Sequence, residues 1–348
     1  MQQYPKIVGL GLGLPRHEYT QSEIYERFLE PHLGTNRKAR ILFARAGVKR
    51  RFTAVEGNYH HVNRGTEERN IRYMQEAIPL GERTVERAMD NAGIKAGDVD
   101  YFSVVSCTGY DIPGLDLHLA GRLQMRPDLR RTCILGMGCY AAFPGLQRAR
   151  DAVAADPSKR ALLLSLELCS LHFQPTDDTE NVVVSAIFAD GAAAAVVGYD
   201  DASRGPQLID ALTRCDYQTL DHMAFHMTDH GFRMELSAYV PEVLGANVED
   251  FVDTLLARNH LRRQDIRFWG VHPGGKKILD YIQARLEIEP EDLAYSRGVL
   301  RDYGNMSSAT ALFVLDAINR QGNPQPGDWG ILMAFGPGLT MESALLRW

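Results

Sequence analysis

Arg131-Thr-Cys-Ile-Leu-Gly-Met-Gly-Cys139-Tyr-Ala-Ala142 decides the reading of this chain. An apolar stretch runs into a Gly-x-Gly turn, and the residues beyond it open what reads as a helix: strand, turn, helix start. A cysteine delivered to a helix N-terminus meets unpaired N–H groups and a partial positive charge, which favour its thiolate. Cys139 is therefore the candidate nucleophile. Outward from this segment, strand-like runs at 101–106 and 160–166 alternate with helical patterns over 81–92 and 145–155, which specifies an α/β architecture.

Asp200-Asp-Ala-Ser-Arg-Gly-Pro206 gathers turn formers between two apolar stretches and divides the chain into halves 1–205 and 206–348. The halves close alike. Phe188-Ala-Asp-Gly-Ala-Ala-Ala-Ala-Val-Val-Gly198 ends the first and Ala334-Phe-Gly-Pro-Gly-Leu-Thr-Met-Glu-Ser-Ala-Leu-Leu346 the second, each a glycine turn feeding an apolar strand, as in an old duplication. No shorter repeat of the solenoid kind is visible. Ala192–Ala195 by themselves mean only a closely packed central strand.

At 348 residues, 45% hydrophobic and 24% charged, the chain has room for a large core, and a disordered or fibrous reading is excluded. The net charge of −6 argues against a general nucleic-acid binder. No apolar run reaches bilayer length and residues 1–14 lack a signal-peptide pattern, so a cytoplasmic protein without membrane insertion is expected. The cysteines at 107, 133, 139, 169 and 215 are odd in number and form no C-x-x-C pair, against a disulfide framework or zinc ribbon. One region departs from the acidic balance: Arg37, Lys38, Arg40, Arg45, Lys49, Arg50 and Arg51 crowd a short stretch. Such a run is either a polyanion site or a solvated helix face.

Partners for Cys139 lie in Trp269-Gly-Val-His272-Pro-Gly-Gly275 and Asp302-Tyr-Gly-Asn305-Met-Ser-Ser308. Cysteine, histidine and asparagine in that order also occur in papain-like proteases, but those place a tryptophan after the cysteine, where this chain has Tyr140-Ala-Ala-Phe143. Singly, His272, Asn305 and Phe188 read as core residues. Their joint occurrence with Cys139 changes that.

At these segments the sequence resembles the type III polyketide synthases, the chalcone synthase superfamily on the thiolase fold. The likeness runs from about Ile7 to the C-terminus through Gly138-Cys139-Tyr140-Ala141, Phe188-Ala-Asp-Gly-Ala-Ala-Ala194, His272-Pro-Gly-Gly275, Tyr303-Gly-Asn305-Met-Ser-Ser308 and Phe335-Gly-Pro-Gly-Leu-Thr340. The initiating ketoacyl-carrier-protein synthases share fold and triad but not this wording. The resemblance implies duplicated βαβαβ halves in a five-layered α-β-α-β-α core. It makes Cys139 the acceptor of an acyl group from a CoA thioester and His272 the base that keeps it as thiolate in an ion pair. Asn305 becomes a neutral donor to the enolate left by malonyl decarboxylation. Removing such a donor typically costs about 2.7–4 kcal/mol of transition-state stabilisation.

Phe188 takes the gatekeeping position, where an apolar face disfavours a carboxylate. Lys38, Arg45 and, less well matched, Arg40 fall where the family binds the phosphates of CoA. Ile41 stands where plant relatives usually have another basic residue. Cys107, Cys169, His172, Phe225, Met234 and Ser307 fall at cavity positions. Threonines occupy the places of Cys107, Cys169 and His172 in many plant chalcone synthases, so these residues point to the bacterial branch and to alkylpyrone, alkylresorcinol or tetrahydroxynaphthalene products. A fatty acyl-CoA starter giving an alkylpyrone or alkylresorcinol is the favoured expectation. Cys107 also reads as an ordinary buried cysteine at a strand end.

Ile112-Pro113-Gly114 matches the family's crossing loop, whose residue before proline enters the partner's cavity; a homodimer follows. No metal and no cofactor beyond the CoA thioesters is implied. Alternatives are a single-extension β-ketoacyl synthase and a polyanion-binding protein using residues 37–51.

In Asp221-His222-Met-Ala-Phe-His226-Met-Thr-Asp229-His230 the histidines fall at i, i+4 and i+8, one helical face resembling a metal site. The competing period is alternation: Met223, Phe225 and Met227 against His222, Ala224 and His226, then a turn at 228–231 and a second alternating run. A β-hairpin with one apolar face is the preferred reading.

Overall fold

The computed structural model describes residues 3–200, 202–237 and 240–348. In the first half β1 (Lys6–Gly13), β2 (His17–Thr20), α1 (Gln21–Ile24), α2 (Glu30–Leu33), α3 (Arg37–Arg45), β3 (Arg50–Thr53), α4 (Thr66–Ala92), β4 (Tyr101–Val105), α5 (Leu115–Arg122), β5 (Arg130–Ile134), α6 (Ala142–Ala155), β6 (Ala161–Leu168), α7 (Thr179–Ile187) and β7 (Asp190–Gly198) follow in order. The second half holds β8 (Gln207–Cys215), β9 (Met223–Thr228), β10 (Gly231–Leu236), α8 (Val240–Arg258), β11 (Ile266–Val271), α9 (Lys276–Leu286), α10 (Ala294–Tyr303), α11 (Thr310–Gln321), β12 (Trp329–Gly336) and β13 (Thr340–Arg347).

Strand order is β5-β4-β6-β7-β1-β8-β13-β12-β11, and the halves join through the single pair Lys6–Gln207. The duplication is visible in this order. Counting outward from the join, β1, β7, β6 and β4 match β8, β13, β12 and β11, with parallel pairing between β4 and β6 as between β11 and β12. β5 has no counterpart among the described residues of the second half.

Layering follows from the alternation of side chains along each strand. Leu162, Leu164 and Leu166 of β6 face α4 and α5, whereas Leu163 and Ala161 face α6 and α11. The same central helices meet Leu332, Ala334, Ala344 and Leu346 of the second half, whose opposite face, Ile331, Met333 and Leu345, packs on α8 and α9. Helix, sheet, helix, sheet, helix is the five-layered thiolase fold. A strand buried on both faces needs a continuous apolar run, and β6, Ala-Leu-Leu-Leu-Ser-Leu-Glu-Leu, is one. Its one charge, Glu167, sits at the end nearest Cys139.

Two local expectations need correction. The helix expected over 81–92 begins at Thr66 and runs through Pro79, its apolar face packing on β1, β6 and β7. The histidine segment is the β9–β10 hairpin, but Met227 on its apolar face is 67% exposed, because the strand outruns the body it packs on. Among the described residues, no helix is long and apolar enough to cross a membrane and no group of three His, Cys, Asp or Glu could hold a metal ion.

Candidate active site

β5 ends at Ile134, and the chain turns through Gly136 and Gly138, both at positive φ, into a 3₁₀ turn over Gly138–Tyr140 that feeds α6. Gly138 is required twice over: its φ of 70° suits glycine, and a Cβ there would lie 2.7 Å from Pro337. The Gly336-Pro337-Gly338 turn between β12 and β13 thus closes on the cysteine turn. Cys139 is buried at its tip.

His272 follows β11, its backbone N–H bonded to Met333 O at 2.8 Å, and it is 1% exposed. Neither ring nitrogen has a hydrogen-bond partner. Asn305 follows α10 across Gly304, and its backbone pairs with the end of α7: Asn305 N–H to Ile187 O and Ala189 N–H to Asn305 O, both 2.9 Å. Its Oδ1 accepts from Ser307 N–H at 2.8 Å and from the Thr310 hydroxyl, which fixes the amide with its NH₂ as the free donor end.

Cys139, His272 and Asn305 line one small cavity together with Phe188, Met223, Met234 and Phe335. Burial holds the Cys139 thiol up at about 12, outweighing Ser307 and Asn305, which favour the thiolate; Glu167 opposes it further. Burial likewise holds His272 down at about 3. Burial thus works against both members of the ion pair that the resemblance implies, against the pull of the 3₁₀ turn and helix start on the thiolate.

Beyond Phe188 lies a second small cavity, which shares Phe188 and Met234 with the first and adds Cys169, His172, Phe225, Phe232 and Phe173. Phe188 meets Phe225 edge to face with ring centres 6.3 Å apart. His172 has both nitrogens engaged: Nε2 donates to Thr108 O at 2.7 Å and Nδ1 accepts from Phe232 N–H at 3.2 Å. It thereby ties the β9–β10 hairpin to the loop after β4. Cys107 and Ser307 are not among the side chains lining either cavity. Cys107 Sγ accepts the Gly138 N–H at 2.9 Å, so it buttresses the cysteine turn from behind.

The basic run divides. Arg40 pairs with Glu30 and stacks on Tyr25, and Arg50 pairs with Glu18 at 2.9 Å. Arg51 leaves the surface altogether at 0% exposure. Lys38 and Arg45 stay exposed on α3, Lys38 reaching the Thr179 hydroxyl at 2.6 Å. Ile112 is 77% exposed.

Several residues escaped the sequence reading. Lys276 and Lys277 are exposed at the start of α9, beside Gly274 and Ile278 of the catalytic cavity, and Lys276 Cβ lies 3.5 Å from where a Cβ on Gly47 would stand, just past α3. Their position directly after His272-Pro-Gly-Gly275 was the available signal. Glu167 accepts from Cys107 N–H at 2.9 Å, the Thr108 hydroxyl at 2.8 Å and the Ser308 hydroxyl, and burial lifts it to about 7. A lone acid in an apolar strand was its signal.

A buried thiol, an imidazole without a protein partner and an amide donor around one cavity suit acyl transfer and stabilisation of an enolate. Comparison with known proteins agrees with that class. Residues 3–201 match the N-terminal domain of the chalcone and stilbene synthases and residues 208–348 the C-terminal domain. The chain belongs to this family and is an acyl-transferring enzyme, a polyketide synthase of type III that depends on CoA thioesters. It is 35% identical to 1,3,6,8-tetrahydroxynaphthalene synthase of Streptomyces peucetius subsp. caesius, over 98% of this chain and 93% of that one. It is 30% identical to the alpha-pyrone synthesis polyketide synthase-like Pks18 of Mycobacterium tuberculosis, over 97% and 90%. The crystal structure of PKS-I from the brown alga Ectocarpus siliculosus superposes with a TM-score of 0.93 at 30% identity, covering 99% of both chains.

Proposed function

We propose that this enzyme loads an acyl-CoA starter on Cys139 and extends it by repeated decarboxylative condensation with malonyl-CoA. One observation carries the reading: Cys139, His272, Asn305 and Phe188, drawn from four separate segments, line a single cavity. In loading, Cys139 sulfur attacks the thioester while neutral His272 takes its proton, then returns it to the departing CoA thiolate. Decarboxylation of malonyl-CoA beside Phe188 releases CO₂ and leaves an enolate, held by the Asn305 amide and an imidazole N–H. The enolate carbon attacks the Cys139 thioester, expelling the thiolate and leaving a chain two carbons longer on CoA. An imidazole kept neutral by burial has one nitrogen to donate and one to accept, as these steps require.

Lys38, Arg45 and Arg40 are assigned to the CoA phosphates, with Lys276 and Lys277 across the cavity mouth. The halves 1–205 and 206–348 are taken as the thiolase-like units, one bearing the cysteine and the other the histidine and asparagine. A homodimer with exposed Ile112 crossing to the partner, in the cytoplasm and without a cofactor beyond its CoA substrates, completes the reading.

The second cavity, walled by Phe173, Val184, Phe225, Phe232 and Met234, favours an apolar tail beyond Phe188. The starter assigned is accordingly a fatty acyl-CoA and the product an alkylpyrone or alkylresorcinol. The 35% relative favours a second reading, an aromatic of the tetrahydroxynaphthalene class built from malonyl-CoA alone. Mass spectrometry of products from malonyl-CoA with and without a panel of acyl-CoA starters separates them. Cyclised products that gain mass with the starter support the first; an aromatic product formed without any starter overturns it.

A further inference from the structure

Arg51 is the largest charged side chain sealed among the described residues, and it does not line the catalytic cavity. One guanidinium NH₂ donates to the main-chain carbonyl of Phe188, the other to Gln21 Oε1 at 2.8 Å. Gln21 in turn donates to Ala186 O at 2.8 Å and Phe43 O at 3.1 Å. Two carbonyls at the C-terminal end of α7 and one near the end of α3 are thus tied by a single buried pair. Phe43 and Phe173 flank the guanidinium, their ring centres 5.8 and 5.9 Å away, and the Asp190 carboxylate supplies the nearest opposite charge. Arg51 Nε has no partner.

A cation held in such a place with one donor unmet is costly unless the position it enforces matters. What it enforces is the path of 186–189. That segment carries the Phe188 ring into the cavity and is bonded on both sides of Asn305. Gly304, at φ 73°, lets the catalytic loop reach this junction: a Cβ there would lie 3.0 Å from Ile187 O and 3.5 Å from Arg51 Cβ. No hydrogen bond ties Cys139 to residues 186–189: its turn is held by Cys107 and by close packing against Gly336 and Pro337, and its sulfur meets the network only through the side chains of Asn305 and Ser307.

We infer that Arg51, oriented by Gln21, is a positioning residue for the decarboxylation half of the reaction: it fixes the backbone of Phe188 and through it Asn305, leaving thioester loading on Cys139 to an independent support. The inference rests on the roles proposed above for Phe188 and Asn305.

The test measures two rates on the full-length enzyme: CO₂ release from malonyl-CoA, and acylation of Cys139 by a starter acyl-CoA. Arg51→Lys keeps the charge but reaches only one of its two acceptors, and Gln21→Met keeps the volume but no acceptor for Arg51. Both variants are expected to slow decarboxylation roughly 10- to 100-fold, the scale of a misplacement near 1 Å, with acylation within about twofold of wild type. The loss is expected in kcat for malonyl-CoA, with KM little changed. Equal losses in both rates, or none in either, would overturn the inference. If Arg51→Lys melts far below wild type, Gln21→Met alone decides. Asn305→Ala is the control: if it keeps decarboxylating, the roles proposed for the triad fail, whereas its loss beside unimpaired Arg51 and Gln21 variants defeats only the present inference.

Discussion

Two histidines lie on opposite sides of Phe188, one in each cavity, and burial depresses both, His272 to about 3 and His172 to about 4. They differ in what their nitrogens do. His172 has each nitrogen bonded to main chain, so its tautomer and orientation are fixed and nothing is left to offer a substrate. His272 has both nitrogens buried and bonded to no protein atom, so both are left to meet a thioester or enolate oxygen. The comparison separates a residue that shapes the cavity from one that reacts in it.

The largest expected effect breaks the reactive side. His272→Gln should lower product formation by roughly 10²- to 10⁴-fold, the range for a lost general acid–base, while the melting temperature holds or rises. Activity within tenfold of wild type would mean the open nitrogens have no chemical role. His172→Gln should act the other way round. Losing one of the two main-chain links costs about 1–3 kcal/mol of stability, and because the hairpin carries Phe225 and Met234, the distribution of product chain lengths should shift while Cys139 acylation persists. An unchanged product profile and unchanged melt would return His172 to plain packing.

pH sharpens the same contrast. A histidine whose folded pKa is lowered binds its proton more readily in the unfolded chain, so its contribution to stability is intact above about 6.5 and is lost as pH falls toward the folded value. Buried Glu167, Asp190 and Glu342, lifted to about 7, 6 and 7, run in the opposite sense, costing stability as pH rises from the unfolded carboxyl range. The informative quantity is therefore a difference. The stability of His172→Gln minus that of wild type should increase as pH drops from 6.5 to 4, by up to about 1.4 kcal/mol per unit. A flat difference would show that His172 is not held neutral.

The smallest effect lies at the cavity mouth. Lys38→Ala and Arg45→Ala should each raise KM for CoA thioesters about two- to fivefold, as expected of exposed charges, with the effect fading at high salt. No change in KM would leave α3 a solvated face.

How legible this was in the sequence differs by region. The alternating strands and helices lie in contiguous runs of residues, so the α/β architecture could be read directly, while the thiolase fold and the convergence on Cys139 followed from the resemblance that the motifs carry. Arg51 could not: in the chain it is one of seven basic residues within 37–51, and only folding places it beneath Phe188, with Gln21 supplying its acceptor. The helix-start argument for a Cys139 thiolate meets a related limit, because the desolvation that raises the thiol comes from residues of distant segments that the local sequence does not show. Cys107 was placed at the cavity from its position, but the side on which its sulfur points depends on the turn at Gly138. Met227 kept the right period in a strand that runs past its support.

The claim that the acyl chain is carried by Cys139 in this cavity is tested most directly by intact-mass and peptide-level mass spectrometry after brief exposure to a starter acyl-CoA. The expected result is one adduct with the mass of the acyl group, on the peptide containing Cys139, absent from Cys139→Ala, which makes no product. Product formation by Cys139→Ala, or an adduct confined to Cys107 or Cys169, would contradict it.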